Sequence, residues 1–218
     1  VALAAGATSI YPCATHDEAI KKAGELKIIG LSTLLCGERG GEKIPGFDLG
    51  NSPLEYSPET VSGRHLVMTT SNGTRALDTA RKKWALGTQI LFPCCVNASK
   101  AAHLIAQSKG DCLFVCAGKN GQFGLEDFIC TGLIIDRLVR LKFERLWEMD
   151  DASREARDLY IKHRDSLPET FAKTDHGRTL VEMGFGDDVA FCAGVDSVPV
   201  MPVCREDSLV ASNRLGQR

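Results

Sequence analysis

The chain has 218 residues, 44% of them hydrophobic and 25% charged, enough apolar material for one large α/β domain or two small ones. A formal net charge of −2 gives no electrostatic ground for nucleic acid or an acidic membrane surface as a partner, and no apolar run approaches the roughly 20 residues of a bilayer span. The nine cysteines include no C-x-x-C pair and mostly sit in apolar runs; the odd count argues against a secreted disulfide scaffold, and a reducing cytoplasm is expected.

Residues 1–7 read as the tail of a helix rather than a signal peptide, so the natural N-terminus is expected upstream. Runs at 26–31, 65–70, 89–92 and 111–117 read as strands, the last the clearest, and 198–203 as a late edge strand because of its prolines. Helical spacing covers 74–85 and 97–109; in the second, Ala98, Ala101, Ala102, Ile105 and Ala106 line one face and Gly110 is a stop signal. Beyond Gly124 the chain turns helical, with Leu125, Phe128, Ile129, Leu133 and Leu138 on an apolar face and a cap at Asp150. The charged run over 137–164 reads as a solvated face. Strand–helix alternation predicts a mostly parallel sheet covered by helices. No repeat or linker marks a border, so a single domain over 1–218 is expected, sheet-rich over 1–123 and helix-rich over 124–218.

Three turns concentrate glycine, carboxylates, carboxamides and arginine: Gly37-Glu38-Arg39-Gly40-Gly41, the run Gly46-Phe47-Asp48-Leu49-Gly50-Asn51-Ser52-Pro53, and Thr69-Thr70-Ser71-Asn72-Gly73-Thr74-Arg75. Glycine lets backbone approach a ligand, arginine grips an oxyanion, and carboxylate and carboxamide oxygens suit a divalent cation. With parallel strands, the turns at 37–41 and 71–75 and those after 92 and 117 fall on the carboxyl edge of the sheet, the usual ligand crevice of open α/β folds. Asn72 to Arg75 opens a helix and either holds an anion on its free N–H groups or is an Asn-Gly turn with Thr74 as cap. Glu38 and Arg39 either act on a ligand or pair and pin their loop. Asp48, Asn51, Ser52 and Glu55 form either an Asx-turn set or a magnesium site. Glu126 and Asp127 are either first-turn acids or metal ligands. A P-loop and a G-x-G-x-x-G after the first strand-like run are absent, and the residue six after Cys116 is Gln122, which argues against a thiol phosphatase. His16, His103, His163 and His176 have no spacing partners and read as structural or exposed.

On these residues the chain resembles the 2-phosphosulfolactate phosphatase family. The first two turns with Glu55-Tyr56, then Thr70-Ser71-Asn72-Gly73-Thr74-Arg75-Ala76, look like its signature, and Cys116-Ala117-Gly118 followed by Leu125-Glu126-Asp127-Phe128 resembles its later motif. The resemblance implies a three-layer α/β/α enzyme that hydrolyses a small 2-phosphorylated hydroxy acid with magnesium; in methanogens the product, 3-sulfolactate, feeds coenzyme M synthesis. It implies that Asp48, Glu126 and Asp127 hold the metal, that Arg39 offsets phosphoryl charge, and that Arg75 with Asn72, Gly73 and Thr74 binds phosphate, carboxylate or sulfonate. Asn51, Ser52 and Thr70 complete the expected substrate contacts. The attacking group is open: water, Asp48 or Ser52. Ser71 stands where the family has a second threonine, and the family's opening strand, with its Asp-Val-Leu-Arg-Ala-Thr-like stretch, is expected upstream of Val1. A non-catalytic anion-binding homologue is the alternative, and a nucleotide-binding α/β domain a weaker one. A homodimer is expected only from the general frequency of dimers.

Overall fold

The structure, a computed structural model, describes residues 1–83, 88–141 and 147–214. It divides into two units, residues 1–92 with the segment from Pro202 onward, and residues 93–201. All described strands lie in the first unit. Its opening turn carries the hydrogen bonds of a helix C-terminus: Ala7 N–H donates to the Ala2 carbonyl (3.0 Å) and Gly6 N–H to that of Leu3 (3.4 Å), with Gly6 at φ 96°. The expected helix tail is therefore present in its bonding.

β1 (Ser9–Pro12) leads into α1 (His16–Ile28), which Thr15 and Glu18 start as a capping box. This helix absorbs the first half of the run expected as a strand over 26–31. Ala19, Ala23 and Leu26 recur at helical spacing and are buried, and the chain breaks only at Gly30, φ 81°. A capped helix already propagating overrides the β preference of Ile28 and Ile29. β2 (Thr33–Arg39) and the short β3 (Glu42–Lys43) follow, then α2 (Pro58–Val61), β4 (His65–Thr69) and α3 (Gly73–Lys83). The helix expected over 74–85 thus starts one residue early; its expected last residues lie outside the described ones.

In the second unit come α4 (Ala98–Gln107), α5 (Leu125–Arg140), α6 (Asp151–His163), α7 (Leu167–Lys173), α8 (Asp175–Glu182) and α9 (Gly186–Cys192). The chain returns to the first unit for β5 (Pro202–Arg205) and β6 (Ser208–Ala211).

The sheet order is β3-β2-β4-β1-β6-β5. β2, β4 and β1 are parallel, with His65 aligned to both Thr33 and Ser9, while β3, β6 and β5 join antiparallel. The α/β class follows the expectation; the sheet itself is mixed, parallel only at its centre. β5 is an edge strand opening on proline, where a missing N–H costs no ladder bond. The expected strand at 89–92 reduces to a single bridge between Leu91 and Val203. Beside the sheet, Ala19, Ala23 and Leu26 of α1 pack with Val67, Ile44 and Phe47.

In the helical unit α4 buries Ala98, Ala101, Ala102, Ile105 and Ala106, the face its spacing predicts. α5 buries Ile129, Leu133 and Leu138 as expected, together with Ile134, Ile135 and Asp136. It lies so close to α6 that a Cβ on Gly132 would come within 1.9 Å of the Ala156 carbonyl oxygen. Asp136, 1% exposed, receives Arg140 Nε at 2.6 Å and Arg157 Nη2 at 3.1 Å. Part of the charged run therefore serves a buried ion cluster rather than solvent. Asp150 accepts the Ser153 N–H (2.8 Å) as the cap of α6. Residues 111–117, expected as the clearest strand, form none, and Leu113 and Val115 are exposed. β preference alone does not make a strand, because its backbone groups need a neighbouring strand, and residues 93–201 contain no described strand. Among the described residues no helix is long and apolar enough to cross a membrane.

Candidate active site

The parallel pair β2–β4 ends at Gly37 and Thr69, which are register partners. A Cβ on Gly37 would lie 2.0 Å from the Thr69 carbonyl oxygen, at φ 145°. Only glycine permits that approach, and it brings the turns following the two strands together. Glu38, 8% exposed, joins them: Oε1 accepts the Ser71 N–H (2.7 Å), and Oε2 accepts the Ser71 hydroxyl (3.0 Å) and the Gly41 N–H (2.9 Å). Ser71 Oγ in turn accepts the Gly40 N–H (3.2 Å). Arg39 does not pair with the Glu38 carboxylate. Its Nη1 donates to the Glu38 carbonyl (2.7 Å) and its Nη2 to Thr69 Oγ1 (2.8 Å), and its side chain is otherwise exposed.

The third turn attaches to the same strand. Gly37 N–H donates to the Leu49 carbonyl (3.0 Å), and Asp48 exchanges bonds with Leu35: its N–H donates to the Leu35 carbonyl (2.9 Å) and its Oδ2 accepts the Leu35 N–H (2.8 Å). Asp48 thus continues the ladder on the side of β2 that also carries β3, spending one carboxylate oxygen there. Asn51 is exposed. Ser52 Oγ accepts the Leu54 N–H (3.2 Å) and caps the single turn Pro53–Glu55. Glu55 accepts the Gly50 N–H (2.8 Å), and the Tyr56 hydroxyl donates to the Gly50 carbonyl (2.7 Å). Burial pushes the Tyr56 hydroxyl far above its ordinary pKa and the neighbouring Cys36 thiol up to about 12, so neither ionises near neutrality.

At the start of α3 the hydroxyl of Thr70, not that of Thr74, acts as the cap. Thr74 N–H donates to Thr70 Oγ1 (3.1 Å), Thr70 N–H to Thr74 Oγ1 (3.1 Å), and Thr74 Oγ1 to the Thr70 carbonyl (3.0 Å). Thr74 lies inside the helix and is buried. Both hydroxyls expected to touch substrate are engaged in holding the turn that presents Asn72 and Gly73. Arg75 is exposed and its side chain makes no hydrogen bond or ion pair among the described residues.

Glu126 and Asp127 belong to the helical unit, in the first turn of α5. Asp127 Oδ2 accepts the Gly118 N–H (2.7 Å), closing a loop that reverses at Asn120 and Gly121, both at positive φ. Burial holds the Asp127 carboxyl above the usual range; the adjacent Glu126 charge adds to this, and the Gly118 N–H and His176 oppose it. Lys119 Nζ ties the loop to α8 through Thr179 Oγ1 (3.0 Å) and the Asp175 carbonyl (3.4 Å). His176, read from the sequence as structural or exposed, thus stands near Asp127 with a buried Nδ1 that has no partner among the described residues. Nothing in its spacing signals this, because Asp127 is distant in the chain. Among the described residues no three His, Cys, Asp or Glu side chains form a group able to hold a metal. Magnesium commonly needs only one or two protein carboxylates, with water and phosphate completing its shell. Glu126 and Asp127 fit that demand: two adjacent acids, one desolvated, the other without a hydrogen bond among the described residues.

The sequence pattern described as 2-phosphosulpholactate phosphatase matches residues 1–207. A protein of Caldanaerobacter subterraneus subsp. tengcongensis named "Probable 2-phosphosulfolactate phosphatase" is 39% identical over 202 residues, covering 92% of this chain and 80% of the relative. One of the same name from Thermotoga petrophila is 37% identical over 201 residues, covering 92% and 81%. A third, from Symbiobacterium thermophilum, is 34% identical over 209 residues, covering 96% and 86%. The matched residues run through both units and include every turn described above, and the chain belongs to the 2-phosphosulpholactate phosphatase family of phosphoric monoester hydrolases.

Proposed function

We propose that the protein is a magnesium-dependent phosphatase that hydrolyses the phosphate ester of a small 2-hydroxy acid such as 2-phosphosulfolactate, giving 3-sulfolactate and inorganic phosphate. The observation that carries this reading is the junction at the ends of β2 and β4. There Arg39 is anchored on Thr69, the α3 N-terminus is anchored through Ser71, and Arg75 is left exposed without a partner among the described residues. Such a substrate carries a phosphate and two further acidic groups, so several fixed donors of positive character are what binding requires. Arg39 offers its planar fork to phosphoryl oxygens as charge builds on them in the transition state. Arg75 and the first N–H groups of α3 suit the carboxylate or sulfonate. Within the helical unit, Glu126 and Asp127 are the carboxylates best suited to hold magnesium; in the sheet unit, Asp48 keeps one carboxylate oxygen beyond the one given to Leu35. Magnesium would supply charge neutralisation of the phosphoryl group and activation of water.

Phosphate release from 2-phosphosulfolactate and 2-phospholactate, measured with magnesium and again with EDTA, tests this. Metal-dependent release confined to 2-phospho acids is the expected result. Binding of these acids by folded protein without release would overturn the catalytic reading and leave an anion-binding homologue.

A further inference from the structure

Among the described residues of the sheet unit, Glu38 is the most thoroughly hydrogen-bonded carboxylate, yet it pairs with no cation there. Its oxygens take three bonds, all from neutral donors, and those donors come from two turns separated by 30 or so residues in the chain: Gly41 on one side, the Ser71 N–H and hydroxyl on the other. A carboxylate that is nine-tenths buried without a counter-ion costs folding free energy unless every lone-pair direction is used. Ser71 adds a return link, since its Oγ also accepts from Gly40. The result is a closed ring, Glu38–Ser71–Gly40–Gly41, clamping the β2–β3 turn to the turn that opens α3.

Arg39 lies within this ring's backbone, between Glu38 and Gly40, and its own guanidinium bonds to Thr69 just before the second turn. Arg75 lies four residues after Ser71. The relative placement of the two arginines therefore depends on the ring more than on either side chain's own contacts. A bidentate grip on a phosphoryl group tolerates little misplacement, because orientation carries much of the catalytic effect.

We infer that Glu38 and Ser71 form a positioning couple: they touch no substrate, but fix Arg39 relative to the α3 N-terminus so that one anion engages both turns. This rests on the phosphatase reading for its kinetics, but not for its geometry. Glutamine at position 38 keeps the size of the side chain and loses the ability to accept from two N–H groups on both oxygens, so Glu38→Gln breaks the ring on one side.

The test combines kinetics with binding of inorganic phosphate in wild type, Glu38→Gln, Ser71→Ala, Ser71→Thr, Arg39→Ala and the double variant Glu38→Gln/Arg39→Ala, after circular dichroism confirms folding. Glu38→Gln should lower kcat/KM for a 2-phospho acid at least tenfold, Ser71→Ala several-fold, and Ser71→Thr should restore the wild-type value. The decisive arm is the double variant: once Arg39 is gone, Glu38→Gln should change kcat/KM less than twofold while its loss of thermal stability persists, a non-additivity that a merely structural role does not produce. Wild-type kcat/KM in Glu38→Gln, or full additivity with Arg39→Ala, overturns the inference and leaves the phosphatase reading intact. If wild type hydrolyses nothing, the phosphatase reading falls. Phosphate affinity then decides the positioning role: at least tenfold weaker binding in Glu38→Gln, absent in the Arg39→Ala background, supports it. Equal affinity, or no phosphate binding by wild type, overturns it.

Discussion

Arg75 is a residue at which stability and activity should separate. It is exposed and makes no hydrogen bond or ion pair among the described residues, so Arg75→Ala should change unfolding free energy by no more than about 0.5 kcal/mol. Loss of a charged donor to the substrate should still lower kcat/KM by about 10²-fold; near-normal hydrolysis by the folded variant would remove Arg75 from the site. Asp127 offers the opposite separation. Its carboxyl is held above its ordinary pKa, mainly by burial, so the folded state favours the protonated form more than the unfolded chain does. The stability tied to that proton is complete below about pH 4 and is lost as pH rises through the folded pKa. In EDTA at pH 7 Asp127→Asn should therefore be at least as stable as wild type, with the gap closing toward pH 4, while magnesium-supported hydrolysis falls at least tenfold. Urea midpoints at the two pH values check the first part; a variant less stable at pH 7, with no convergence on acidification, would contradict it.

Between β2 and β4 the limiting contact is backbone on backbone. Gly37→Ala places a methyl group 2.0 Å from the Thr69 carbonyl oxygen at a φ of 145°, and neither strand can yield without breaking the ladder. A loss of about 3 kcal/mol or more is expected, together with displacement of the Glu38–Ser71 ring that lies one residue beyond. Gly24 in α1 is the control within the same unit. A Cβ there meets nothing within 4 Å, and the residue is mid-helix, so Gly24→Ala should stabilise by roughly 0.5–1 kcal/mol. Denaturant midpoints of the two variants should move in opposite directions; a shared direction would mean that backbone freedom, not close approach, governs these glycines.

For the molecule as a whole, ligand linkage gives a readout independent of turnover. Magnesium with inorganic phosphate at a hundred times its dissociation constant should stabilise the folded protein by about 2.7 kcal/mol, seen as a rise in Tm that EDTA abolishes and that Arg75→Ala reduces. No shift at any concentration would argue that product does not bind. The sequence by itself determined what is encoded within a few residues. The buried face of α4, β4 over His65–Thr69, the Asp150 cap and the unusual turns are all legible there, because spacing of three to four, alternation and capping chemistry act locally. Family membership was legible from the same turns. Only the tertiary structure decided the rest. It turned 26–28 into the end of a capped helix and left 111–117 unpaired. It gave Asp48 to the Leu35 amide and Glu38 to Ser71, and set His176 near Asp127. A strand is fixed by the partner that satisfies its backbone, and a buried carboxylate by the donors that reach it. In this chain those partners lie 13 residues from Asp48 and 33 from Glu38, beyond the reach of any local pattern.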